Sequence, residues 1–337
     1  MSCNPRELLA ESERKLLRRR SQPRWTSPML ATLTDERFSD EDWIFERKLD
    51  GERALVFRKG GSTRLVTRNR KTINDNYPEI VECFDRQSCD FIVDGEIVAF
   101  SSNLTSFSRL QKRMQISDPD KARASGVRVF MYVFDIIHLE DHALEKVPLR
   151  SRKKLLRAAL NFEKPLRFST HRNAEGEAYY MEACDKGWEG VIAKDATAEY
   201  AHSRSRSWLK FKCTASQELV IGGFTAPKSS REGFGALLVG YYDDDKLRYA
   251  GKVGTGYDDE FLRSFRRRLE RVQRKTSPFS GEHPDKDEIT WVTPEFVGEF
   301  GFTEWTSAGK LRHPRFLGLR RDKDPRQVVR ESPGSAS

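Results

Sequence analysis

The stretch WIFERKLDGERALVF (residues 43–57) decides the fold, because it places a Lys-x-Asp-Gly-x-Arg cluster between two runs of strand-forming residues. A charged hairpin turn usually does no more than solvate the surface. A lysine amine is also a poor nucleophile while it is protonated. Partial burial and a neighbouring cation, for which Arg53 is the local candidate, would favour the uncharged amine of Lys48. The stretch therefore predicts either a solvated hairpin or a reactive lysine.

The bulk composition fits a folded protein with two domains and an anionic partner. At 337 residues the chain exceeds the size of a typical single hydrophobic core. Hydrophobic residues make up 37% of it and include 21 Phe and 6 Trp, so it can fold although 33% of it is charged. Lys and Arg number 60 against 51 Asp and Glu, and the resulting net charge of +9 weakly favours a polyanionic partner.

The cysteines and the hydropathy pattern predict the compartment. Five cysteines, an odd number without a C-x-x-C pair, argue against a disulfide framework and against a structural zinc site. A reducing compartment is therefore expected. No apolar run approaches the length of a membrane span, and the N-terminus lacks the apolar core of a signal peptide. We expect a soluble cytoplasmic protein without a membrane partner.

The pattern along the chain predicts four segments. Residues 4–22 are basic and amphipathic, and a solvated tail is a better interpretation of them than an arm for nucleic acid. From about residue 214 the mixed pattern gives way to five short strands and one helix, which are typical of a small OB-type barrel. The segments are a basic N-terminal tail or helix (1–25), an α+β domain (26–213), an OB-fold domain (214–328) and a disordered tail (329–337).

Hydrophobic periodicity predicts elements of both kinds in the first domain and mostly strands in the second. The predicted strands are 43–47, 53–58, 63–68, 91–100, 127–138, 217–225, 234–242, 246–253, 289–299 and 311–320. The predicted helices are 104–114, 151–160, 174–186 and 258–273.

A pair of carboxylates lies inside the apolar stretch FIVDGEIVAF (residues 91–100). Asp94 and Glu96 are two positions apart in a strand, so both side chains project from the same face. Burying two carboxylates on one face is costly unless cations or a metal ion neutralise them. The alternative is a pair of salt-bridge partners near an exposed end of the strand.

Two later strands carry further charges. In GWEGVIAKD (187–195), Glu189 and Lys194 bracket a short apolar strand, and in SWLKFKC (207–213), Lys210 and Lys212 share one face. Two lysines on one face repel each other unless an anion such as a phosphate lies between them. The alternative for each stretch is a charged edge strand that resists aggregation.

Taken together, these stretches indicate a site for phosphoryl or nucleotidyl transfer. A nucleophilic amine, two carboxylates for a divalent ion and several cations for phosphates are the groups that such chemistry needs. Oxygen ligands favour Mg²⁺ or Mn²⁺ over zinc. The chain has no GxxxxGK[ST] stretch, so a P-loop is excluded as the way in which a nucleotide is held.

The chain resembles the ATP-dependent DNA ligases of the covalent nucleotidyltransferase superfamily. Six segments match the family's motifs I, Ia, III, IIIa, IV and V in order: ERKLDGER, VTRNRKT, DGEIVAF, YVFDIIHLE, EGVIAK and WLKFKC. Near the C-terminus, LRHPRFLGLRRDKDP is similar to motif VI in the form found in bacterial end-joining ligases. The motifs span residues 46 to 325. The resemblance implies an adenylation (nucleotidyltransferase) domain with antiparallel sheets and flanking helices, followed by the OB-fold barrel.

The resemblance implies a role for each matching residue around ATP. Lys48 would attack the α-phosphate and become a lysyl–AMP adduct, Glu46 would lie beside the adenine, and Phe134 would stack on it. Lys210 and Lys212 would hold the α-phosphate.

Further roles concern the sugar, the metal and the DNA. Arg53 would lie near the ribose and the attacked phosphate, and Arg68 near the 5′-phosphate at a nick. Glu96 and Glu189 would coordinate Mg²⁺ or Mn²⁺, and Glu96 would also contact the ribose. The motif Ia turn departs from the family, because Arg70 replaces the glycine of the usual Arg-Asn-Gly and leaves the turn geometry open.

The remaining roles concern the ends of two motifs. In motif VI, Arg320, Asp322 and Lys323 would orient the pyrophosphate leaving group. Lys194 fits the end of motif IV as a further nucleotide contact.

The implied protein is a stand-alone, monomeric bacterial ligase associated with the nucleoid. Its implied substrate is duplex DNA with nicks or ends, and a Ku-type end-binding protein is a candidate partner. The alternatives are an RNA ligase or mRNA-capping guanylyltransferase, which uses the same lysine chemistry, and a non-enzymatic OB-fold protein that binds nucleic acid. Labelling the protein with ATP and with GTP would distinguish a capping enzyme from a DNA ligase, because a capping enzyme accepts GTP.

Overall fold

The computed structural model describes residues 3–227, 233–284 and 289–331. The described chain divides into two compact units, one ending at Cys213 and the other running from Thr214 to Glu331. The last six residues of the predicted disordered tail, 332–337, lie outside the described residues. None of the helices in the described residues is long and apolar enough to cross a membrane.

The first unit contains thirteen strands in two sheets and seven helices. The strands are β1 (Arg18–Arg19), β2 (Leu30–Leu33), β3 (Trp43–Lys48), β4 (Glu52–Lys59), β5 (Ser62–Thr67), β6 (Phe91–Ser101), β7 (Leu104–Thr105), β8 (Val129–Leu139), β9 (His142–Ala143), β10 (Leu166–Phe168), β11 (His171–Asn173), β12 (Gly190–Asp195) and β13 (Arg204–Lys212). The helices are α1 (Pro5–Leu8), α2 (Glu11–Arg14), α3 (Pro78–Asp85), α4 (Phe107–Met114), α5 (Pro119–Ala124), α6 (Leu149–Ala159) and α7 (Gly176–Asp185).

The larger sheet of the first unit has the order β1-β9-β8-β6-β4-β5, with β7 paired to β6 and β10 paired to β8. Its central strands, β6 and β8, are the two longest apolar stretches of this unit and are almost entirely buried. Because side chains alternate along a strand, one side of these strands packs on helices and the opposite side packs towards the second sheet. Residues such as Val93, Ile97 and Met131 form the main core with α3, α4 and α6.

The smaller sheet of the first unit has the order β11-β3-β12-β13-β2. The pairs β11–β3, β3–β12 and β12–β13 are antiparallel, whereas the pair β13–β2 is parallel. One face of this sheet packs on α7 through an aromatic cluster that includes Phe45, Tyr179 and Phe211. The other face carries the charged residues described below.

The second unit is a six-stranded sheet with one long helix. Its elements are β14 (Ser216–Thr225), β15 (Leu237–Asp243), β16 (Lys246–Val253), α8 (Asp259–Glu270), β17 (Gln273–Arg274), β18 (Ile289–Gly301), β19 (Glu304–Trp305), β20 (Leu311–Arg312), β21 (Arg315–Arg320) and a 3-10 helix (Pro325–Gln327). The strand order is β16-β15-β14-β18-β17, with β21 on β18. Asp258 caps α8 by accepting from the Phe261 amide, and Leu262, Phe265 and Leu269 bury one side of the helix on the sheet.

Most predicted elements are present, and the differences lie at their ends. The predicted helix 104–114 begins only at Phe107, because Leu104 and Thr105 pair with β6 as a short strand and Ser106 caps the helix. The predicted strand 311–320 is interrupted at His313 and Pro314, the first of which has a positive φ of 49°.

Residues 4–22 are packed on the first unit, so the interpretation as a solvated tail is wrong. Leu9 and Leu17 are buried in the main core, and β1 pairs with β9. A disulfide joins Cys3 to Cys89. Two buried leucines, a strand pairing and a disulfide thus attach the segment, in spite of its basic surface.

The prediction of a chain without disulfides is also wrong. A second disulfide joins Cys184, in α7, to Cys213, which follows β13, and Cys83 is a free buried thiol. An odd cysteine number is compatible with two disulfides and one thiol, and pairing depends on which cysteines the tertiary fold brings together. The argument from cysteine usage to a reducing compartment therefore loses its basis.

Candidate active site

The charged face of the smaller sheet is assembled by the register of three strands. Lys48 of β3 lies opposite Gly190 of β12, and Gly190 lies opposite Lys212 of β13. Residues opposite each other, and residues two apart on one strand, share a face. We call this surface the β3–β12–β13 face; its members are Glu46, Lys48, Ile192, Lys194, Trp208, Lys210 and Lys212.

Lys48 forms an ion pair with Glu189 on this face. The side chains of the two residues are only 18% and 19% exposed, so the amine is shielded from water and is not an outer-surface lysine. Glu189 directly precedes β12, and its carbonyl accepts from the Cys213 amide at 3.0 Å. The pairing of β12 with both β3 and β13 therefore holds the carboxylate next to the predicted nucleophile.

Gly190 lets the three strands approach each other next to the reactive lysine. Its φ is +149°, and a Cβ on it would lie 1.9 Å from the carbonyl oxygen of Phe211. Any side chain here would push β13 away from β12 and separate Lys212 from Lys48. The glycine of motif IV is thus required by backbone packing.

Glu46 is buried within a network of hydrogen bonds and ion pairs. Its Oε1 accepts from Lys153 Nζ at 2.6 Å, and its Oε2 accepts from Lys194 Nζ at 3.0 Å and from Ser169 Oγ at 2.9 Å. Burial alone would raise the pKa of Glu46, but the two ammonium groups outweigh burial and lower the pKa to about 2. The carboxylate is therefore ionised at neutral and mildly acidic pH.

Lys194 is enclosed by aromatic rings. Its Nζ lies 4.3 Å from the ring centre of Phe134, which belongs to β8, and 4.2 Å from that of Trp208, which belongs to β13. Burial lowers the pKa of Lys194 to about 8, in spite of the attraction of Glu46. The contact of Lys194 with Glu46 and Phe134 shows that the predicted adenine-side residues border the same space.

Trp208 presents a further polar atom in this region. Its side chain is 2% exposed, and its Nε1 has no hydrogen-bond partner among the described residues. Buried polar groups are normally paired, so an orphan donor here is a point at which a ligand acceptor would be stabilised.

Arg53, the predicted activating cation, binds Asp94. Its Nε and Nη2 donate to the two Asp94 oxygens at 2.5 and 2.6 Å, and Tyr200 Oη donates to the same carboxylate at 2.5 Å. Arg53 Nη2 also donates to Met29 O. Burial lowers the pKa of Arg53 but the Asp94 carboxylate more than compensates, so that its pKa is raised.

Asp94 and Glu96 consequently have different environments. The Asp94 side chain is completely buried and both its oxygens are hydrogen bonded, so Arg53 provides the neutralising cation and Asp94 is not open to a metal ion. Glu96 lies opposite Arg53 in the ladder of β4 and β6 and is half-buried. Glu96 and Glu189 offer the hard carboxylate oxygens that suit Mg²⁺ or Mn²⁺.

The motif Ia segment forms a hydrogen-bonded turn with arginine in place of the usual glycine. Arg70 has a φ of +63°, and its amide donates to the Thr67 carbonyl at 2.9 Å while the Thr67 amide donates to the Lys71 carbonyl. Arg70 therefore adopts the left-handed conformation that glycine takes more easily. Arg68 lies directly after β5 at this turn and is half-buried.

The motif VI residues form a network inside the second unit. Arg320 donates to both Asp322 oxygens at 3.0 and 2.8 Å, and Lys323 Nζ lies 2.9 Å from Glu218 Oε1. Burial lowers the pKa of Arg320, but Asp322 and Glu218 outweigh it and raise the pKa. The three predicted residues are thus held as one charged group.

Four residues of the site were not predicted from the sequence: Lys153, Ser169, Tyr200 and Trp208. Lys153 lies in α6, whose composition is that of an ordinary amphipathic helix. The one available signal for its burial was its position on the hydrophobic side of the SRKKLL stretch. Trp208 lies two positions before Lys210 and so shares the face of the paired lysines, and that position was the available signal.

The fold is that of a nucleotidyltransferase-type ligase, with one domain of two sheets followed by a smaller domain built mainly of strands. Residues 28–212 match the family model of the ATP dependent DNA ligase domain, and residues 230–323 match that of the ATP dependent DNA ligase C terminal region. The chain therefore belongs to the ATP-dependent DNA ligase family.

The chain is similar to several named proteins of this family. It is 35% identical to the multifunctional non-homologous end joining protein LigD of Pseudomonas aeruginosa, over 92% of this chain and 37% of that protein. It is also 35% identical to the multifunctional non-homologous end joining DNA repair protein LigD of Mycobacterium tuberculosis, over 90% of this chain and 40% of that protein. The chain thus spans about two fifths of the length of these relatives.

Solved ligase structures show the same similarity. A mycobacterial DNA ligase D complexed with ATP and MES is 34% identical, has a TM-score of 0.65 and covers 91% of this chain and 98% of its own. The ligase domain of M. tuberculosis LigD is 33% identical with a TM-score of 0.50, over 91% of this chain and 98% of its own. The named relatives are DNA ligases, so the RNA-ligase or capping alternative is not favoured.

Proposed function

We propose that the protein seals breaks between a 5′-phosphate and a 3′-hydroxyl in duplex DNA, with ATP as cosubstrate. The observation that carries this proposal is the shielded Lys48–Glu189 ion pair on the same sheet face as Lys210 and Lys212. A shielded amine beside surplus positive charge can attack a phosphate and neutralise the charge that develops on it.

The first step is the transfer of AMP to the enzyme. The Lys48 amine, after losing its proton, forms a P–N bond to the α-phosphorus of ATP, and the bond from that phosphorus to the bridging oxygen breaks to release pyrophosphate. Glu189 holds the amine, and Lys210 and Lys212 bind the α-phosphate oxygens. Phe134 is the aromatic residue that we expect at the adenine, beside Glu46; Lys194 contacts both residues.

The remaining steps use the DNA. A 5′-phosphate oxygen, held by Arg68, displaces Lys48 from the adenylate and forms a P–O–P bond. The 3′-hydroxyl then attacks the 5′-phosphorus, forms the phosphodiester and releases AMP. Arg320, Asp322 and Lys323 orient the pyrophosphate in the first step, a role that fits a rigid charged group of this kind.

Glu96 and Glu189 would hold Mg²⁺ or Mn²⁺ through their carboxylate oxygens. The metal ion would neutralise negative charge on the phosphates.

End joining is the proposed biological setting. The relatives with 35% identity are named as multifunctional non-homologous end joining proteins, and this chain matches the part of them that the ligase family models describe. A Ku-type end-binding protein is the proposed partner. Sealing of nicked and of double-strand-break substrates, with and without a bacterial Ku-type protein, tests this: stimulation of double-strand-break sealing alone supports the role, and equal rates contradict it.

The test of the chemistry is labelling with ATP that carries ³²P at the α-position. The wild-type protein should retain the label covalently and seal a nicked duplex, and GTP should not label it. Lys48→Ala should lose labelling by at least about 1,000-fold, because the nucleophile is gone. Lys59→Ala, which removes an exposed lysine at the end of β4, is the matched control and should behave as wild type. Full sealing by Lys48→Ala would refute the mechanism.

A further inference from the structure

We propose that Lys153 and Ser169 are positioning residues that hold the Glu46 carboxylate for a hydrogen bond from the 6-amino group of adenine, and that they thereby make the site select ATP over GTP. This inference rests on the proposed function, since it needs ATP to bind beside Glu46. Neither residue lies in a segment that matches a ligase motif.

Lys153 and Ser169 form a closed triangle with Glu46. Lys153 Nζ donates to Glu46 Oε1 at 2.6 Å and to the Ser169 carbonyl at 2.9 Å, and Ser169 Oγ donates to Glu46 Oε2 at 2.9 Å. The side chains of Lys153 and Glu46 are each 3% exposed. Three contacts among three buried residues fix the carboxylate plane, whereas a single ion pair would leave it free to rotate.

The segments that carry the two residues are themselves anchored on β8. Arg152, the neighbour of Lys153 in α6, donates twice to Asp135 at 2.8 Å, and both side chains are completely buried. The Ser169 amide donates to the Val133 carbonyl at 2.9 Å. The triangle is thus built on rigid elements, and its position follows from packing of the whole domain.

The hydrogen-bonding capacity of Glu46 shows what kind of ligand atom it can still accept. An ionised carboxylate accepts about four hydrogen bonds. Three positions are taken by Lys153, Lys194 and Ser169. The remaining lone pair of the carboxylate can accept a hydrogen bond from an N–H group of a ligand. It would repel a carbonyl oxygen of a ligand.

This difference separates adenine from guanine. Adenine carries an amino group at C6, and guanine carries a carbonyl oxygen there. Lys194 Nζ lies 3.0 Å from Glu46 Oε2 and 4.3 Å from the centre of the Phe134 ring, so a base bound beside this ring would lie near the carboxylate. A buried site made to accept from an N–H rejects a group that cannot donate, because the carboxylate oxygen would then face another acceptor without a hydrogen bond.

The decisive experiment compares ATP with purine riboside triphosphate, which has hydrogen in place of the 6-amino group. The measured quantity is kcat/KM for formation of the Lys48 adduct, followed by mass spectrometry in the absence of DNA. The wild-type protein should prefer ATP by at least about 10-fold in kcat/KM, because this ratio corresponds to the free energy of one charge-assisted hydrogen bond. Lys153→Met should reduce this preference to about 3-fold or less, mainly through a raised KM for ATP, with kcat little changed.

Control variants separate positioning from stability. Lys153→Arg should keep most of the preference, and Lys154→Met, at the exposed neighbouring position of α6, should keep all of it. If Lys153→Met does not fold, Ser169→Ala, which removes one hydroxyl group, carries the test and should reduce the preference by about 3-fold. A folded variant at either position with the full wild-type preference would overturn the proposal. Absence of any adduct in the wild-type protein would instead refute the proposed function.

Discussion

The β3–β12–β13 face and the Arg53–Asp94–Tyr200 cluster are both charged and shielded, but they balance their charges in opposite ways. Four lysines on the face, Lys48, Lys194, Lys210 and Lys212, stand against the carboxylates of Glu46 and Glu189. In the cluster, one guanidinium meets one carboxylate, and Tyr200 and Met29 complete the hydrogen bonds.

The difference teaches which charges serve the fold and which serve the chemistry. A buried pair that is complete within the protein gains nothing from a ligand, so the cluster is part of the architecture that shapes the site. A face that gathers several ammonium groups attracts an added anion, so it is suited to phosphates. The grouping of like charges, rather than the presence of charge, distinguishes the two regions.

The largest expected effect comes from breaking the cluster. Asp94→Asn removes the carboxylate charge and leaves the mostly buried Arg53 without its counter-ion, which should lower the free energy of unfolding by about 3–5 kcal/mol. Chemical denaturation of the wild-type and variant proteins measures this difference.

Tyr200→Phe is the milder companion of that variant. It removes one hydroxyl group that donates to Asp94 and accepts from the Met29 amide, and it should cost about 1–3 kcal/mol. If Asp94→Asn is as stable as wild type and loses only activity, the cluster belongs to the chemistry and the comparison fails.

A smaller free-energy change, without loss of stability, is expected on the β3–β12–β13 face. Lys210→Ala should slow formation of the Lys48 adduct by about 100-fold, because one cation at the α-phosphate is lost. Its melting temperature should stay within about 2 °C of wild type, because the substitution removes a half-buried side chain and leaves the apolar core intact.

Arg206→Ala provides the comparison for Lys210→Ala within the same strand. Arg206 is an exposed residue of β13, and its removal should leave adduct formation unchanged. Equal losses in the two variants would show that general positive charge, rather than the position of Lys210, controls the rate.

The smallest expected effect is a pH dependence next to Glu46. His171 lies opposite Glu46 in the ladder, and burial together with the nearby Lys153 ammonium lowers the pKa of His171 to about 4. As the pH falls, the histidine of the unfolded chain is protonated near pH 6.5, whereas that of the folded protein is protonated only near pH 4. The associated stability is complete above about pH 6.5 and is lost as the pH falls towards 4.

Thermal or urea unfolding between pH 7 and pH 4.5 measures this dependence. Wild type should lose about 1 kcal/mol more over this range than His171→Asn, after allowance for the partial exposure of the ring. Parallel pH profiles for the two proteins would mean that the lysine-rich surroundings of Glu46 do not repel a further positive charge.

The sequence predicted much of the fold and the outline of the site. The strands around Lys48 and the two long apolar strands were predicted because alternation and β-branched residues are local properties. The roles assigned to the motif residues stay predictions. The packed N-terminal segment and the disulfides were missed, because both depend on partners far away along the chain, such as Cys89 for Cys3.

By itself the sequence determined which chemical groups the protein has and in which order they follow along the chain. The Lys-x-Asp-Gly-x-Arg cluster, the glutamate–glycine pair before β12 and the two lysines of β13 are local patterns, and spacing alone tells which of them share a face.

Only the tertiary structure decided how those charges are paired. It paired Arg53 with Asp94, and it brought Lys153 to Glu46 across 107 positions of the chain. The physical reason is that the energy of a buried ion depends on distances to all surrounding charges and dipoles, and the packing of the complete domain sets those distances.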